Sequence, residues 1–414
     1  MKEIRRQQIR KFIRVNIPIA IAVLTLFATT ARAENSVTLY GIIDSGLMYV
    51  SNQNGHSNYE TTTGKLSGSR FGFKGNEDLG GGYNAFFVLE NGFSANSGAL
   101  QQGSRLFGRQ GYVGIGQTSL GKIMLGRQYS PFELYVGYLT AGIRFGTSLM
   151  TDPFDLNMLG GSVRFNNAVT YESPDYRGLT YSVQYAFSNQ AASAGGLGFA
   201  NNREFGAAIK YLRGGLRAAI GYARLDGPNA ASNTNGATYG DYPGAFPLWF
   251  KRLDSNLSGK TSSAALAIGT EQVITAGGLY RIGNIELGSV ISRTLIGKLS
   301  ISGASTPDFN TANGRFDIDS LELSASDYLT PSYIVGLMGK FSNASLRTGA
   351  GDMSLHWWQF GLGNDYLLSK RTDVYAALAY ESAAGRGNAA QITLDAPSSN
   401  SHQVAFTVGL RHRF

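Results

Sequence analysis

The stretch from Gly116 to Lys122, GQTSLGK, contains the residue types of a phosphate-binding loop. It matches the first seven positions of G-x-x-x-x-G-K-[ST], in which backbone amides and the lysine hold phosphate and a final hydroxyl holds Mg²⁺. The eighth position is Ile123, which has no hydroxyl. The flanking segments alternate and are rich in glycine and aromatic residues, whereas a phosphate loop needs a helix after it. The sequence therefore predicts two strands joined by a tight turn over 117–121.

Histidines are the other residues that could do chemistry. The chain has four, His56, His356, His402 and His412. None lies beside a serine or aspartate pattern of the kind that hydrolases use, and no spacing typical of a metal site occurs. The sequence predicts neither an enzyme nor a cofactor or metal.

The composition indicates an exported protein. The 414 residues include 54 Gly and no Cys, and only 15% are charged, against ~25% in soluble domains. Residues 1–33 are basic, then apolar, and end in a small-x-small site, which predicts a secretory signal peptide. Its removal takes seven of the 36 Lys and Arg and one of the 28 Asp and Glu, which leaves 29 basic and 27 acidic side chains. This near balance does not favour nucleic acid as a partner.

The mature chain, 34–414, repeats segments of ~10 alternating residues between turn residues, the pattern of membrane β-barrel strands. In lipid only a closed sheet satisfies its backbone hydrogen bonds, and sixteen strands leave an aqueous channel. The predicted fold is all-β, a 16-stranded antiparallel transmembrane β-barrel. Its strands are predicted over 36–51, 65–77, 82–95, 105–116, 121–128, 164–173, 178–188, 203–212, 215–225, 270–282, 284–295, 317–328, 331–343, 355–368, 371–383 and 402–414.

The connections alternate in length, so short turns are expected at the periplasmic side and long loops outside. The loop at about 129–163 is long enough to indicate a function. Its apolar runs PFELYVGYL and PFDLNML predict that it packs against the inner wall as a constriction loop. Long loops are predicted at 52–64, 96–104, 129–163, 189–202, 226–269, 296–316, 344–354 and 384–401.

Several stretches resemble the general porins of β-proteobacteria, the group that includes neisserial and Burkholderia-type porins. They are SVTLYGIIDSGL, SGSRFGFKGNEDLGGGYNAFFVLENGF, RLFGRQGYVGI, LGRQY, RFNNAVTYESP and the C-terminal GLRHRF. They span the mature chain in the same order as in that family. The resemblance implies a Gram-negative outer-membrane location, a homotrimer, an inward-folded third loop and a C-terminal aromatic residue read by the assembly machinery. Phe414 meets that last requirement.

The resemblance also implies an arginine cluster at the narrowest part of the pore. Arg70, Arg109 and Arg164 match this cluster, and Glu90 matches a carboxylate beside it. Alternation alone places Arg70 and Arg164 on the lumen faces of their strands, and Lys74 shares the face of Arg70. The alternative is that these residues are solvated lumen charges without a role in selectivity.

The acids of the constriction loop, Glu133, Asp152 and Asp155, are expected to face the arginines across the pore. Arg127 shares its alternation with lipid-facing residues, so alternation places it outside the lumen unless a bulge turns it inward or the third loop covers it. Rings of basic side chains favour anions in pores, so a modest anion preference is expected.

The predicted function is passive diffusion of ions and small hydrophilic solutes across the outer membrane. Outer-membrane lipid, lipopolysaccharide and the assembly machinery are the expected partners. Two alternatives stay open at this point. One is an adhesin or receptor barrel that binds through loop 226–269, and the other is a substrate-specific channel.

Overall fold

The computed structural model describes residues 36–191, 198–228, 233–241, 265–302, 314–348, 351–392 and 396–414. The predicted signal peptide, 1–33, lies outside these residues, as does the middle of the predicted loop 226–269. Within the described ranges no helix is both long and apolar enough to cross a membrane. The strands are β1 (Ser36–Gln53), β2 (His56–Thr63), β3 (Arg70–Gly80), β4 (Tyr83–Gly92), β5 (Gln110–Gln117), β6 (Gly121–Gln128), β7 (Phe165–Glu172), β8 (Leu179–Ala186), β9 (Arg203–Arg213), β10 (Leu216–Asp226), β11 (Ala265–Ala267), β12 (Thr270–Ile282), β13 (Ile285–Ser302), β14 (Gly314–Thr330), β15 (Tyr333–Thr348), β16 (Gly351–Leu367), β17 (Thr372–Ala384) and β18 (His402–Arg413).

These strands form one closed antiparallel sheet. The seam pairs β1 with β18, from Ile42 opposite Arg413 to Val50 opposite Ala405. Two barrel strands are each broken in two, because β2 and β3 both pair with β1 and β11 and β12 both pair with β13. The described segments therefore make sixteen barrel strands, as the sequence predicted.

The two faces of the sheet differ in the way that the alternation predicted. On β18, Phe406, Val408 and Leu410 are 42%, 37% and 50% exposed, whereas the intervening Ala405 and Thr407 are fully buried. The apolar side chains thus point outward. A closed sheet with an apolar exterior is the form that a spanning β-structure must take in lipid, where no water pairs with free backbone groups.

The short turn that resembles a phosphate loop is a β-hairpin turn, as predicted. β5 ends at Gln117 and β6 begins at Gly121. The Gln117 side-chain carbonyl accepts hydrogen bonds from the amides of Ser119 at 2.6 Å and Leu120 at 2.9 Å. These contacts take up the amides that a bound phosphate would need.

The segment between β6 and β7 folds into the barrel. It contains helix α1 (Pro131–Val136), which contacts β9, β10 and β12, and helical turns at Gly142–Gly146 and Ser148–Met150, which contact β15 to β17. It therefore crosses the lumen. At the far wall, Lys340 Nζ donates to the Met150 carbonyl at 2.8 Å. The predicted constriction loop, about 129–163, is this segment.

Apolar packing holds the constriction loop against the inner wall. Phe132, Phe154 and Leu156 of the loop belong to one buried cluster with Phe316 and Trp357 of the strands. Phe154 meets Trp357 edge to face, with ring centroids 6.0 Å apart. Fully burying such side chains contributes about 1.5–3 kcal/mol each. The apolar runs in the sequence of this loop are therefore its packing surface.

The predicted long loop 52–64 is wrong. β1 and β2 form a tight hairpin through Asn54 and Gly55, whose φ angles are 53° and 103°. Both residues tolerate a positive φ, and an Asn-Gly pair is the preferred two-residue hairpin turn. The break in this barrel strand falls later, over 64–69. Predicted strand 65–77 therefore begins only at Arg70.

Three other predicted boundaries are also wrong. β15 runs to Thr348 and β16 starts at Gly351, so strand occupies most of the predicted loop 344–354. β13 and β14 likewise extend into the predicted loop 296–316. Conversely, the predicted strand 105–116 begins only at Gln110, because the Asn91 side-chain amide donates to the carbonyls of Arg105 and Leu106 and holds that segment in turns.

Candidate pore constriction

Glu90 is the centre of the first charged group inside the barrel. It lies on the inner face of β4 and is 5% exposed. Its carboxylate accepts from Arg109 Nε at 2.7 Å and from the Tyr40 hydroxyl at 3.0 Å, and it lies 3.7 Å from Arg70 Nε. One carboxylate thus serves two guanidinium groups. The group keeps a net positive charge.

Tyr129 joins this group to Arg164. Arg164 Nη2 donates to the Tyr129 hydroxyl at 2.6 Å, and its guanidinium carbon lies 4.6 Å from the ring centroid. The guanidinium carbon of Arg109 lies 5.8 Å from the same ring. Both distances are within the range of cation–π attraction. Two arginines are therefore held by one aromatic ring.

A β-bulge settles the position of Arg127. The pairing of β6 with β7 shifts register between Gly126 and Gln128, and Gly126 has a φ of 134°. A side chain there would come within 2.2 Å of the Gly111 carbonyl oxygen, so only glycine fits. Arg127 is consequently buried instead of facing lipid, and its guanidinium pairs with Asp241.

Asp241 is a member of the site that the sequence did not reveal. Its side chain pairs with Arg127 and, at 3.2 Å, with Arg105 Nη1. It also accepts a hydrogen bond from the backbone amide of Arg164 at 3.2 Å. Asp241 lies in the predicted loop 226–269, where no strand alternation assigns a direction to a side chain.

Two acids of the constriction loop have their side chains held by other groups. Asp152 pairs with Lys340 Nζ at 2.8 Å. Asp155 accepts from the amides of Gly160 at 2.7 Å and Ser162 at 3.0 Å. Asp152 thereby fastens the loop to the far wall, and Asp155 closes a turn within it.

Glu133 is buried on α1 at the edge of the arginine group. Its Oε2 has no hydrogen-bond partner among the residues that the structure describes. Burial raises the pKa of the Glu133 carboxyl well above its usual range, and the nearby Arg164 only partly offsets this. Burial therefore opposes the negative charge of Glu133.

These residues surround one cavity of about 740 Å³. The cavity brings together six of the predicted site residues, and Asp241 and Tyr129 also line it. Lys74 and Asp152 are outside this lining: Lys74 lies further along β3, over the Tyr40 ring at 5.5 Å, and Asp152 is turned toward Lys340. The predicted residues that line the cavity are Arg70, Glu90, Arg109, Glu133, Asp155 and Arg164.

Phe414 is outside the lining of this cavity and lies at the barrel seam. Its amide and carbonyl both pair with Gly41, each at 3.1 Å. Its ring covers Gly41 on the outward face, since a Cβ at Gly41 would lie 2.3 Å from a ring carbon. The C-terminal residue is thus the last rung of the closed sheet.

Similarity to known sequences agrees with this architecture. The sequence profile of the Gram-negative porin family matches residues 20–386. The chain belongs to this porin family. It is also 31% identical to an outer membrane porin protein of Bordetella pertussis, over 96% of this chain and 99% of that protein. This chain is accordingly an outer-membrane porin of the β-proteobacterial type.

Solved structures share the same fold. An anion-selective porin from Comamonas acidovorans superimposes with a TM-score of 0.66 at 24% identity, over 92% of this chain and all of that one. OmpT of Vibrio cholerae in its trimer form superimposes with a TM-score of 0.58 at 15% identity, over 92% of this chain and 99% of that one. The two structures support the barrel fold of this chain.

Two residues of this porin's site could have been found from its sequence, and two could not. Tyr129 ends the recognised stretch LGRQY, and Tyr40 lies in SVTLYGIIDSGL. Tyr40 has the inward alternation on β1, and Tyr129 follows directly after β6, where it can meet the arginines. Arg105 and Asp241 meet only because two long loops fold toward each other. In the described residues no group of three or more histidines and acids is arranged to hold a metal ion.

Proposed function

We propose that this porin forms an open, water-filled diffusion pore with a modest preference for anions. Arg70, Arg109 and Arg164 are proposed as the selectivity residues, with Glu90 holding two of them in place. Fixed guanidinium groups attract anions and repel cations at a constriction. They act most strongly at low salt, where the Debye length is long.

The observation that carries this proposal is the imbalance of charge around the cavity. Glu90 is shared by two arginines, and Arg164 is held by the Tyr129 hydroxyl and ring. On the loop side, burial opposes the negative charge of Glu133. The positive charge of the strand wall is therefore greater than the negative charge of the constriction loop that faces it. The porin from Comamonas acidovorans is anion-selective, which supports the same direction.

Reversal potentials in a KCl gradient across a planar bilayer test the proposal. Arg70, Arg109 and Arg164 are changed together to Gln, which removes three positive charges and leaves Glu90 unpaired. We expect the reversal potential to shift toward cations and bulky solutes to pass faster. The effect should weaken as salt increases.

A matched control removes the same number of arginines from the outward face. Arg293, Arg315 and Arg347 have side chains that are 53%, 47% and 60% exposed and pair with acids on that face. Changing these three to Gln should leave the reversal potential unchanged. If the two triple variants behave alike, the arginines of the cavity are not the selectivity site.

Solute range distinguishes a general pore from the alternatives. A sixteen-stranded lumen narrowed by one loop is expected to pass hydrophilic solutes of up to several hundred daltons without saturation. Liposome swelling measures these rates. Saturation with a single sugar or amino acid would favour a substrate-specific channel, and absence of conductance would favour an adhesin or receptor barrel.

The remaining assignments are proposals of the same kind. We propose cleavage of a signal peptide after Ala33, assembly into a homotrimer, contact with lipopolysaccharide, and recognition of Phe414 by the assembly machinery. The trimer form of the Vibrio cholerae relative supports the homotrimer. Membership of a family of channel proteins supports a transport role without enzymatic activity.

A further inference from the structure

A second loop, besides the constriction loop, reaches the arginines. The segment over 233–241 follows β10 and lies across the outer ends of β7 and β9. The amide of Asn166 donates to the Ala237 carbonyl at 2.8 Å, and the amide of Ala237 donates to the Asn202 carbonyl at 2.8 Å. The Asn202 side chain accepts from the amide of Thr238 at 2.8 Å. We name residues 233–241 the inner flap.

The inner flap ends at Asp241, whose side chain is 2% exposed. Its carboxylate pairs with Arg127 and Arg105, and the Tyr239 carbonyl accepts a second hydrogen bond from Arg105 at 2.7 Å. Asp241 also lines the same cavity as Arg109 and Arg164. The inner flap thus places a fixed negative charge among the arginines.

This placement changes the charge of the constriction. Arg105 and Arg127 come from different elements, the turns before β5 and the bulge of β6, and both direct guanidinium groups at Asp241. Removing the carboxylate would leave two buried or half-buried cations beside the cavity. Removing one partner of such an ion pair does more than delete a contact, because it leaves the remaining charge buried and uncompensated.

We propose that Asp241 is a selectivity-determining residue that limits the anion preference of the pore. Its single negative charge offsets one of the two positive charges of Arg105 and Arg127, so these two arginines add less to the positive field of Arg70, Arg109 and Arg164. The inference rests on the proposed diffusion function and adds a residue from a loop that is remote in sequence. It also assigns the inner flap a role as a second part of the constriction.

The test is Asp241→Asn, which removes the charge and nearly preserves the shape of the side chain. We expect the chloride-to-potassium permeability ratio in a KCl gradient to rise about twofold at low salt. Partly screened by salt, one unit charge at ~10 Å in water changes the local concentrations of chloride and potassium by about 1.4-fold each in opposite directions, and therefore their ratio by about twofold. The change should shrink as salt increases.

Three further variants separate charge from folding. Asp241→Glu keeps the charge and should keep the original ratio. Asp319→Asn removes an equivalent charge from the outward face, where Asp319 lies 3.6 Å from Arg293, and should change nothing. Combining Asp241→Asn with Arg105→Gln should return the ratio toward the original, because one negative and one positive charge are then removed together.

Two results would overturn the inference. One is an unchanged permeability ratio in a correctly folded Asp241→Asn pore, with folding checked by the β-sheet circular dichroism and by heat resistance. The other is an equal shift in Asp241→Glu, which would assign the effect to packing of the inner flap. A parent protein that conducts without anion preference would instead contradict the proposed function, so the two failures are distinguishable.

Discussion

At the scale of single residues, the ring of Tyr129 explains how two like charges can be neighbours. Arg109 and Arg164 both approach this ring, and Glu90 lies on the other side of Arg109. Cation–π contacts compensate part of the repulsion without adding a negative charge. A neutral residue therefore keeps the wall both positive and rigid.

Glu133 leads to a prediction about pH. Its pKa is raised by burial, with Arg164 and Arg109 lowering it and Asp155 and Asp241 raising it further. As the pH rises through this elevated pKa, Glu133 gains a negative charge beside the arginines. We expect the anion preference to fall over that range, as measured by reversal potentials at constant salt.

The corresponding variant is Glu133→Gln, which fixes the uncharged state. Its reversal potential should lose this pH-dependent step and keep the low-pH value throughout. Glu77→Gln, an exposed change near the periplasmic end of β3, should retain the step. A Glu133→Gln pore that still shows the full step would exclude Glu133 as its origin.

At the scale of elements, the break between β2 and β3 serves the constriction. Residues 64–69 leave the sheet because Asp44 on β1 accepts hydrogen bonds from the amides of Leu66 at 3.0 Å and Ser67 at 2.7 Å. The amide of Ser148 in the constriction loop then donates to the Lys65 carbonyl at 2.7 Å. The break thus gives the constriction loop a hydrogen-bonded contact with the segment between β2 and β3.

Asp44→Ala is expected to destabilise this arrangement. It removes the acceptor of three donors, the two amides and the Tyr375 hydroxyl at 2.6 Å. Each buried donor left unpaired costs about 1–3 kcal/mol. We expect a loss of ~3 kcal/mol or more in the free energy of unfolding, measured by urea denaturation in detergent micelles.

A control and a second measurement sharpen this test. Asp78→Ala removes an exposed acid near the end of β3 and should have little effect. Single-channel records of Asp44→Ala should show more frequent current fluctuations, because the constriction loop has lost its near anchor. Unfolding at the same urea concentration as the parent would rule out the anchoring role.

Alternation predicted the elements that are regular and missed those that are not. It predicted sixteen barrel strands and the inward direction of Arg70, because both depend on a period of two. The hairpin at Asn54-Gly55 has a local signal in its residue pair, which alternation does not detect. The inward turn of Arg127 depends on a bulge that reverses the period, and the position of Asp241 depends on contacts between loops. Neither the bulge nor the loop contacts can be recognised from the neighbouring residues in the sequence.

At the scale of the whole molecule, the seam between β1 and β18 decides whether the barrel exists. Phe414 supplies its last two backbone hydrogen bonds and covers Gly41. Deleting Phe414 should slow insertion into the outer membrane and leave the selectivity of inserted pores unchanged, since its ring lies on the outward face of the sheet and the cavity on the inner face. The measurement is the amount of heat-resistant folded protein in membranes over time after induction.

Phe414→Tyr is the matched variant, because it keeps an aromatic ring and the backbone of the final rung. It should insert at the normal rate. Normal accumulation of the deletion variant would show that the terminal rung and its ring are dispensable for assembly.

The seam also determines when folding can finish. Thr407 donates to the Leu47 carbonyl 360 residues earlier in the chain, so the contact forms only after the last strand has been delivered. Such distant pairings form slowly, and until then the edges of β1 and β18 are open to aggregation. A chain with no cysteine has no disulfide to hold a partial barrel. Periplasmic holding chaperones are therefore expected to be needed for the whole interval between export and closure.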